Sequence, residues 1–289
     1  MSDTRRIIIN ADDFGQTKAI NEAVIDAHQN GVLTSVTIMA NMPHFEEAAA
    51  EAKKNPNLGV GVHLNLMRGR PLCDPSEIPT LVDKNGNLLG SVTSIWKQLF
   101  MGELSAKQLE MEFQAQVQKV IDSGIKPTHV DSEKHLHLVF PFVGRIACLV
   151  AKKFDIPCIR VGREKLHLNY RPARTTLNQT LKAYLISHRS RPFSHVAKDF
   201  GLRFTDRFTG VALTGNMTFD AYRFILAHTG PGTLEIMTHP AIRSGAEAII
   251  NEASWLDVHR PDEYRALTDD RVREAFAGSG VSLIHYGEL

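Results

Sequence analysis

Cysteine is scarce in this chain of 289 residues, which has three, Cys73, Cys148 and Cys158. They are too few and too scattered for a disulfide framework or a thiolate zinc site, and a reducing compartment is the expectation. No apolar run approaches the roughly 18 residues of a membrane span. The opening MSDTRRIIIN has no apolar stretch of the signal type ahead of its first predicted strand. A soluble, cytoplasmic protein is therefore expected, with a peripheral contact at the inner membrane left open. Formal net charge is only +1, which gives the chain as a whole no argument for nucleic acid. Also missing are a Walker A loop, a G-x-G-x-x-G after the first strand and a G-x-S-x-G elbow, so phosphate-loop, dinucleotide and serine-hydrolase chemistry find no support.

What the chain does have is strand alternating with helix, without internal repeats. Ile7, Ile8 and Ile9 read as a strand buried on both faces, leading to Asp12, Asp13 and a turn at Gly15. A helix from about Thr17 stops at Gly31. SVTIMA (35–40) is a second strand, 43–53 a short helix with Pro at its start, and LGVGVHLNL (58–66) a third strand. Residues 68–90 carry Pro71, Pro75 and Pro79 and are too long for an ordinary connection. Ser105 and Gln108 are spaced as a capping box for a helix ending at Gly124. Further strands are expected at 127–131, 156–161, 232–238 and 281–285, and further helices from 141, within 213–227 and over 269–277. Alternation of this kind implies a parallel sheet with right-handed crossovers. The expected fold is α/β, an irregular, TIM-like (β/α) barrel forming one catalytic domain over 1–289, with a doubly wound open sheet as the alternative.

Function is suggested by where the polar residues fall. Asp12 and Asp13, His63, the 129–137 cluster and His239 all stand at predicted C-terminal strand ends, which meet on one face if the strands are parallel. Any one of these histidines alone reads more simply as a packed or surface residue; their joint placement is what points to a site. PTHVDSEKHLH puts His129, Asp131, Glu133, His135 and His137 at alternating positions, which a strand would aim to one side. Imidazole and carboxylate donors without thiolate suit one divalent ion, zinc, cobalt, manganese or magnesium, with positions open to water. Two neighbouring carboxylates on a strand can divide the work, one on a metal and one on a proton. Arg160 either orients Asp12, binds a sugar hydroxyl or is a surface arginine at a strand end.

IIINADDFG, GVGVHLNLMRGRPL, KPTHVDSEKHLH and LEIMTHPA together resemble, in order and spacing, the landmarks of the YdjC-like carbohydrate deacetylases. That resemblance implies a barrel related to the polysaccharide deacetylases and metal-dependent removal of N-acetyl groups from amino sugars. By position it makes Asp12 the general base, Asp13 and His63 metal ligands and His239 the general acid. Most of the family carries histidine as third ligand where this chain has Glu133. Either Glu133 ligates, shifting preference toward magnesium or manganese, or His135 or His137 takes the metal with Glu133 behind it. The Glu-Lys-His variant resembles the subgroup associated with hopanoid biosynthesis (HpnK), whose implied substrate is an N-acetylglucosaminyl hopanoid lipid. Soluble chito-oligosaccharides are the alternative substrate. A metal-dependent phosphoesterase and a non-catalytic sugar or lipid binder are the rival classes, and a homodimer is compatible with an enzyme of this size.

Charge is segregated along the chain. Residues 160–200 hold nine Lys or Arg against Glu164 and Asp199, an excess of seven positive charges in a chain of net +1. Leu177, Leu181, Tyr184, Leu185 and Ile186 lie among them at partly helical spacing. A basic helical insertion at about 163–205 is expected, which either packs its apolar face on the barrel or rests on an anionic bilayer.

Overall fold

The computed structural model of the chain describes residues 4–164, 176–242 and 255–289. Its strands, in chain order, are β1 (Arg5–Phe14), β2 (Ser35–Ile38), β3 (Gly59–Leu64), β4 (His129–Ser132), β5 (Cys158–Ile159), β6 (Arg207–Thr209), β7 (Gly232–Thr238) and β8 (Val281–Leu283). The helices are α1 (Lys18–Gln29), α2 (Phe45–Lys54), α3 (Val92–Phe100), α4 (Ala106–Asp122), α5 (Leu136–Val139), α6 (Pro141–Lys153), α7 (Leu177–Asp199), α8 (Phe219–His228), α9 (Trp255–Leu267) and α10 (Asp270–Gly278).

Every strand pair is parallel, and the sheet runs β5-β4-β3-β2-β1-β7-β6. β1 is central because its isoleucines are apolar on both faces and wholly buried. β7 pairs with it from Arg5 to Ala11, while the other edge is shared by β8 at the start and β2 at the end. Helices pack around this sheet and are stopped by side chains at their ends. Thr17 accepts from the Ile20 amide to start α1, and Ser105 from the Gln108 amide to start α4.

The irregular (β/α) barrel expected from the alternation is a curled, open half-barrel instead. β5 has two residues and β6 three, and each pairs with its inner neighbour but not with the other. Their edges meet only through the single bridges Cys158–Arg203 and Glu164–Phe208. β6, α3 and α9 were not anticipated: RFT has no apolar run, and α3 follows directly on the proline- and glycine-rich stretch. Within the expected basic insertion the structure has the long helix α7; residues 165–175 of that stretch lie outside the described residues.

The long connection after β3 is held by polar groups from α4. Glu112, fully buried, accepts from the amides of Leu72 and Cys73 at 2.9–3.1 Å. Gln116 receives the Asn65 amide and donates to its carbonyl. The capping box is half made: the Gln108 side chain accepts from the amide and hydroxyl of Thr80, not from the helix start. Glu112→Ala leaves two buried amides without acceptors, and unfolding by denaturant should show a loss of about 1–3 kcal/mol. A change within measurement error would mean that water replaces the carboxylate.

Candidate active site

Asp12 and Asp13 sit near the end of β1, where the chain changes conformation. Asp13 has φ +70, in the left-handed region, and the register to β2 shifts between Ala11 and Phe14. That local break turns two neighbouring carboxylates toward different partners.

Asp12 faces Arg160. Its Oδ2 and Oδ1 accept from Nη1 and Nη2, both at 2.7 Å, and Oδ1 also accepts from Asn10 at 3.0 Å. The same guanidinium reaches Asp131 Oδ2 at 2.6 Å and donates through Nε to Glu235 Oε1 at 2.8 Å. Tyr286 donates to the remaining Glu235 oxygen. Burial alone would push the Asp12 carboxyl up, but Arg160 overrides it and holds the group well below the ordinary carboxylate range. Asp12 is thus a carboxylate at any physiological pH, fixed in the plane of the guanidinium fork. Of the readings open for Arg160, the structure shows the one that orients Asp12.

Asp13 faces His63 and Arg260. His63 gives its Nδ1 to Asp131 Oδ1 at 2.7 Å, which leaves Nε2 toward Asp13 Oδ1 at 3.7 Å. Burial would lower the His63 pKa, but the Asp131 carboxylate beside it raises it to about 9. The other Asp13 oxygen accepts from Arg260. Glu133, 2% exposed, has the same half-held arrangement: Oε1 takes Arg68, and Oε2 is buried without a hydrogen-bond partner. Arg68 feels the charges of both Glu133 and Asp13.

One set of donors among the described residues is close enough together to hold an ion. Asp12, His63 and Asp131 bring one ligand atom each within 4.8 Å of one another. Arg160 already occupies the space between those two carboxylates, and Thr37 Oγ1 lies 3.2 Å from both His63 Nδ1 and Asp131 Oδ2. Asp13 Oδ1 and His63 Nε2 also face each other at 3.7 Å, and Glu133 Oε2 is buried without a hydrogen-bond partner. An arginine engages the opposite oxygen of Asp13 and of Glu133, and Asp131 holds His63 Nδ1.

His239 follows β7. Its backbone N–H donates to Glu263 Oε2 at 2.6 Å, and its Nε2 lies 4.0 Å from Asp12 Oδ2. Burial pushes its pKa down to about 4, against the pull of Asp12 and Asp13.

The alternation expected through the 129–137 cluster does not carry through, because β4 stops at Ser132 and Lys134 and His135 take φ values of +51 and +56. His129 begins β4, at the opposite end from Asp131, stacked on Tyr286 at 3.7 Å. His137 commits both nitrogens, to Ser132 Oγ and the Arg160 carbonyl. His135 stands edge-on to Phe208 with its Nδ1 buried and without a hydrogen-bond partner. Arg68, Glu235, Arg260, Glu263 and Tyr286 were not singled out from sequence. Glu235 did carry a signal, as a carboxylate inside the otherwise apolar LEIM strand.

The model of the YdjC-like proteins matches residues 6–278. The chain belongs to the YdjC-like family. It is 34% identical over 291 residues to the carbohydrate deacetylase of Geobacillus stearothermophilus, covering 99% of this chain and 98% of that protein. It is 40% identical to the carbohydrate deacetylase of Clostridium beijerinckii, covering 98% and 100%. Among solved structures, an Enterococcus faecalis protein named as a candidate for cellobiose-phosphate cleavage superposes with a TM-score of 0.78. It is 25% identical, with 99% of this chain and 98% of that one covered.

Arg160→Lys keeps the charge but loses the fork that joins three carboxylates. The variant should unfold at lower denaturant, with a loss of about 3–5 kcal/mol. A loss below about 1 kcal/mol would show that a lysine ammonium or water replaces the guanidinium in that ring.

Proposed function

We propose that this chain is a metal-dependent carbohydrate N-deacetylase that hydrolyses the acetamide of an amino sugar to acetate and free amine. The observation that carries this reading is the unequal treatment of the two neighbouring carboxylates. Asp12 has both oxygens on Arg160, whereas Asp13 keeps one oxygen facing His63 Nε2. Asp13, His63 and Glu133 would hold the ion. Bound there, it supplies electrophilic assistance to the acetyl carbonyl and lowers the pKa of water.

The chain's own residues do the proton work. Asp12, ionised and oriented, accepts the proton of the water that adds to the carbonyl carbon. His239, neutral at rest and 4.0 Å away, receives that proton and presents it to the nitrogen as the C–N bond breaks. Glu263, through the His239 backbone, keeps the imidazole beside Asp12. The names of the Geobacillus and Clostridium relatives support a carbohydrate substrate. The Glu-Lys-His sequence at 133–135 supports the finer reading, an N-acetylglucosaminyl hopanoid lipid.

Acetate release should be followed from N-acetylglucosaminyl lipid and from N-acetylated chito-oligosaccharide, each with magnesium, manganese, zinc and cobalt. No acetate from any N-acetylated sugar with any of these ions would overturn the proposal. Asp12→Asn should retain bound metal by elemental analysis and lose on the order of 10²–10⁴ in rate. Asp13→Asn and His63→Ala should lose the metal; the reverse pattern would exchange the roles of the two aspartates. Glu133→His should stay active and move metal preference toward zinc or cobalt. Unchanged preference would remove Glu133 from the coordination.

A further inference from the structure

α7 has apolar residues on two opposite faces. Ala183, Ile186, Phe193 and Ala197 are buried against the protein, joined by Ser190. At about 100° per residue, Leu177, Leu181, Tyr184 and Leu185 lie on the far side of the helix. All four are more than half exposed, Leu177 at 79%. The inner face therefore accounts for the packing, and the outer apolar stripe stays exposed, Tyr184 stacking on His188 of the same helix.

Its charge is of one sign. From Leu177 to Lys198 the helix has no Asp or Glu. Lys182 and Arg189 lie along one flank of the outer stripe and Arg191 and Lys198 along the other, by the same helical geometry. A face in plain contact with water would mix charges of both signs over few apolar groups. An apolar ridge bordered on both sides by cations matches an anionic bilayer surface, where the apolar groups enter the acyl boundary and each cation meets a lipid headgroup.

The stripe also lies beside the site. Lys182 is close enough to Glu133 and Lys134 for their charges to act on it. Gln179 and Ser187 donate to the carbonyls of Thr214 and Glu164, which ties the helix to the strand ends. A second exposed apolar group comes from the connection after β3. Trp96 and Met101 are about half exposed there and Phe100 is 91% exposed. Trp96 stands edge-on to Phe140 at 5.0 Å, and Phe140 ends α5, the short helix on which α7 packs. No single helix among the described residues is long and apolar enough to cross a membrane.

We propose that the outer face of α7 docks this protein on an anionic lipid bilayer, so that a lipid-linked amino sugar is presented to the site beside it. The docking stands on the helix alone; only the nature of the presented sugar rests on the deacetylase reading.

The test uses the full chain and sedimentation with vesicles of phosphatidylcholine, with or without phosphatidylglycerol. Binding is expected with phosphatidylglycerol at low salt and is expected to fall at high salt. Arg189→Ser with Arg191→Ser should weaken the partition coefficient by about 25-fold, at roughly fivefold per cation. Leu181→Glu with Leu185→Glu should abolish binding. Because these side chains are exposed, circular dichroism and acetate release from soluble chito-oligosaccharide should be unchanged. No binding to phosphatidylglycerol vesicles at low salt would overturn the proposal. So would a dimer by light scattering that the two glutamates convert to monomer, since a second copy would then cover the stripe. Vesicle binding without acetate release from any sugar would instead count against the deacetylase reading and leave the docking intact.

Discussion

Arg160 is wholly removed from water and is surrounded by three carboxylates, Asp12, Asp131 and Glu235, carried by three different strands. A guanidinium in that position cannot lose its proton, and leaving it unpaired would cost several kcal/mol. The strands that carry the carboxylates must therefore arrive together with β5, the strand that Arg160 follows. The Tyr286 hydroxyl closes the ring from the last turn of the chain, and the His137 imidazole meets the Arg160 carbonyl. Position of the Asp12 carboxylate and assembly of the sheet are thus one problem with one solution. Asp131 links the ring to the neighbouring cluster, since its other oxygen fixes the tautomer of His63.

Around that ring the protein uses arginine a second way. Arg68 and Arg260 each hold one oxygen of a carboxylate, on Glu133 and Asp13, with the other oxygen left over. A monodentate grip orients a carboxylate without consuming it, whereas the bidentate grip on Asp12 engages both of its oxygens. The same side-chain type thereby places two adjacent aspartates in different surroundings.

Much of this was legible in the residues because it depends on local pattern. The isoleucine run before Asp12 and Asp13, and the GTLEIMT stretch before His239, are β-branched or apolar segments ended by polar groups, and β7 has the same bounds in structure as in pattern. Pairing to a ladder made His63 and Asp131 register partners, as parallel strands with aligned ends require. What was not legible depends on backbone or on distance. β6 is three residues held by its neighbours' hydrogen bonds, and no side-chain pattern marks it. Arg260 meets Asp13 across 247 residues from a helix that was not foreseen. The alternation through 133–137 failed because two consecutive residues adopt left-handed φ, which period-two reasoning has no means of anticipating. The apolar residues of α7 were visible, but their division between two faces needed the helix phase.

The two single bridges between β5 and β6 bear on how this protein can change. α7 leaves the sheet just after one side of that seam and returns just before the other, so the excursion is closed at its base by a few backbone contacts. Doubling the length of such a closed excursion costs only about 0.6 kcal/mol of chain entropy, and none of its residues from 176 to 200 belongs to the Arg160 ring. The inner face of α7, with Phe193 edge-on to His137, is nevertheless packed on α5 and α6. Only its outward-facing residues are free to change while the Arg160 ring stays as it is.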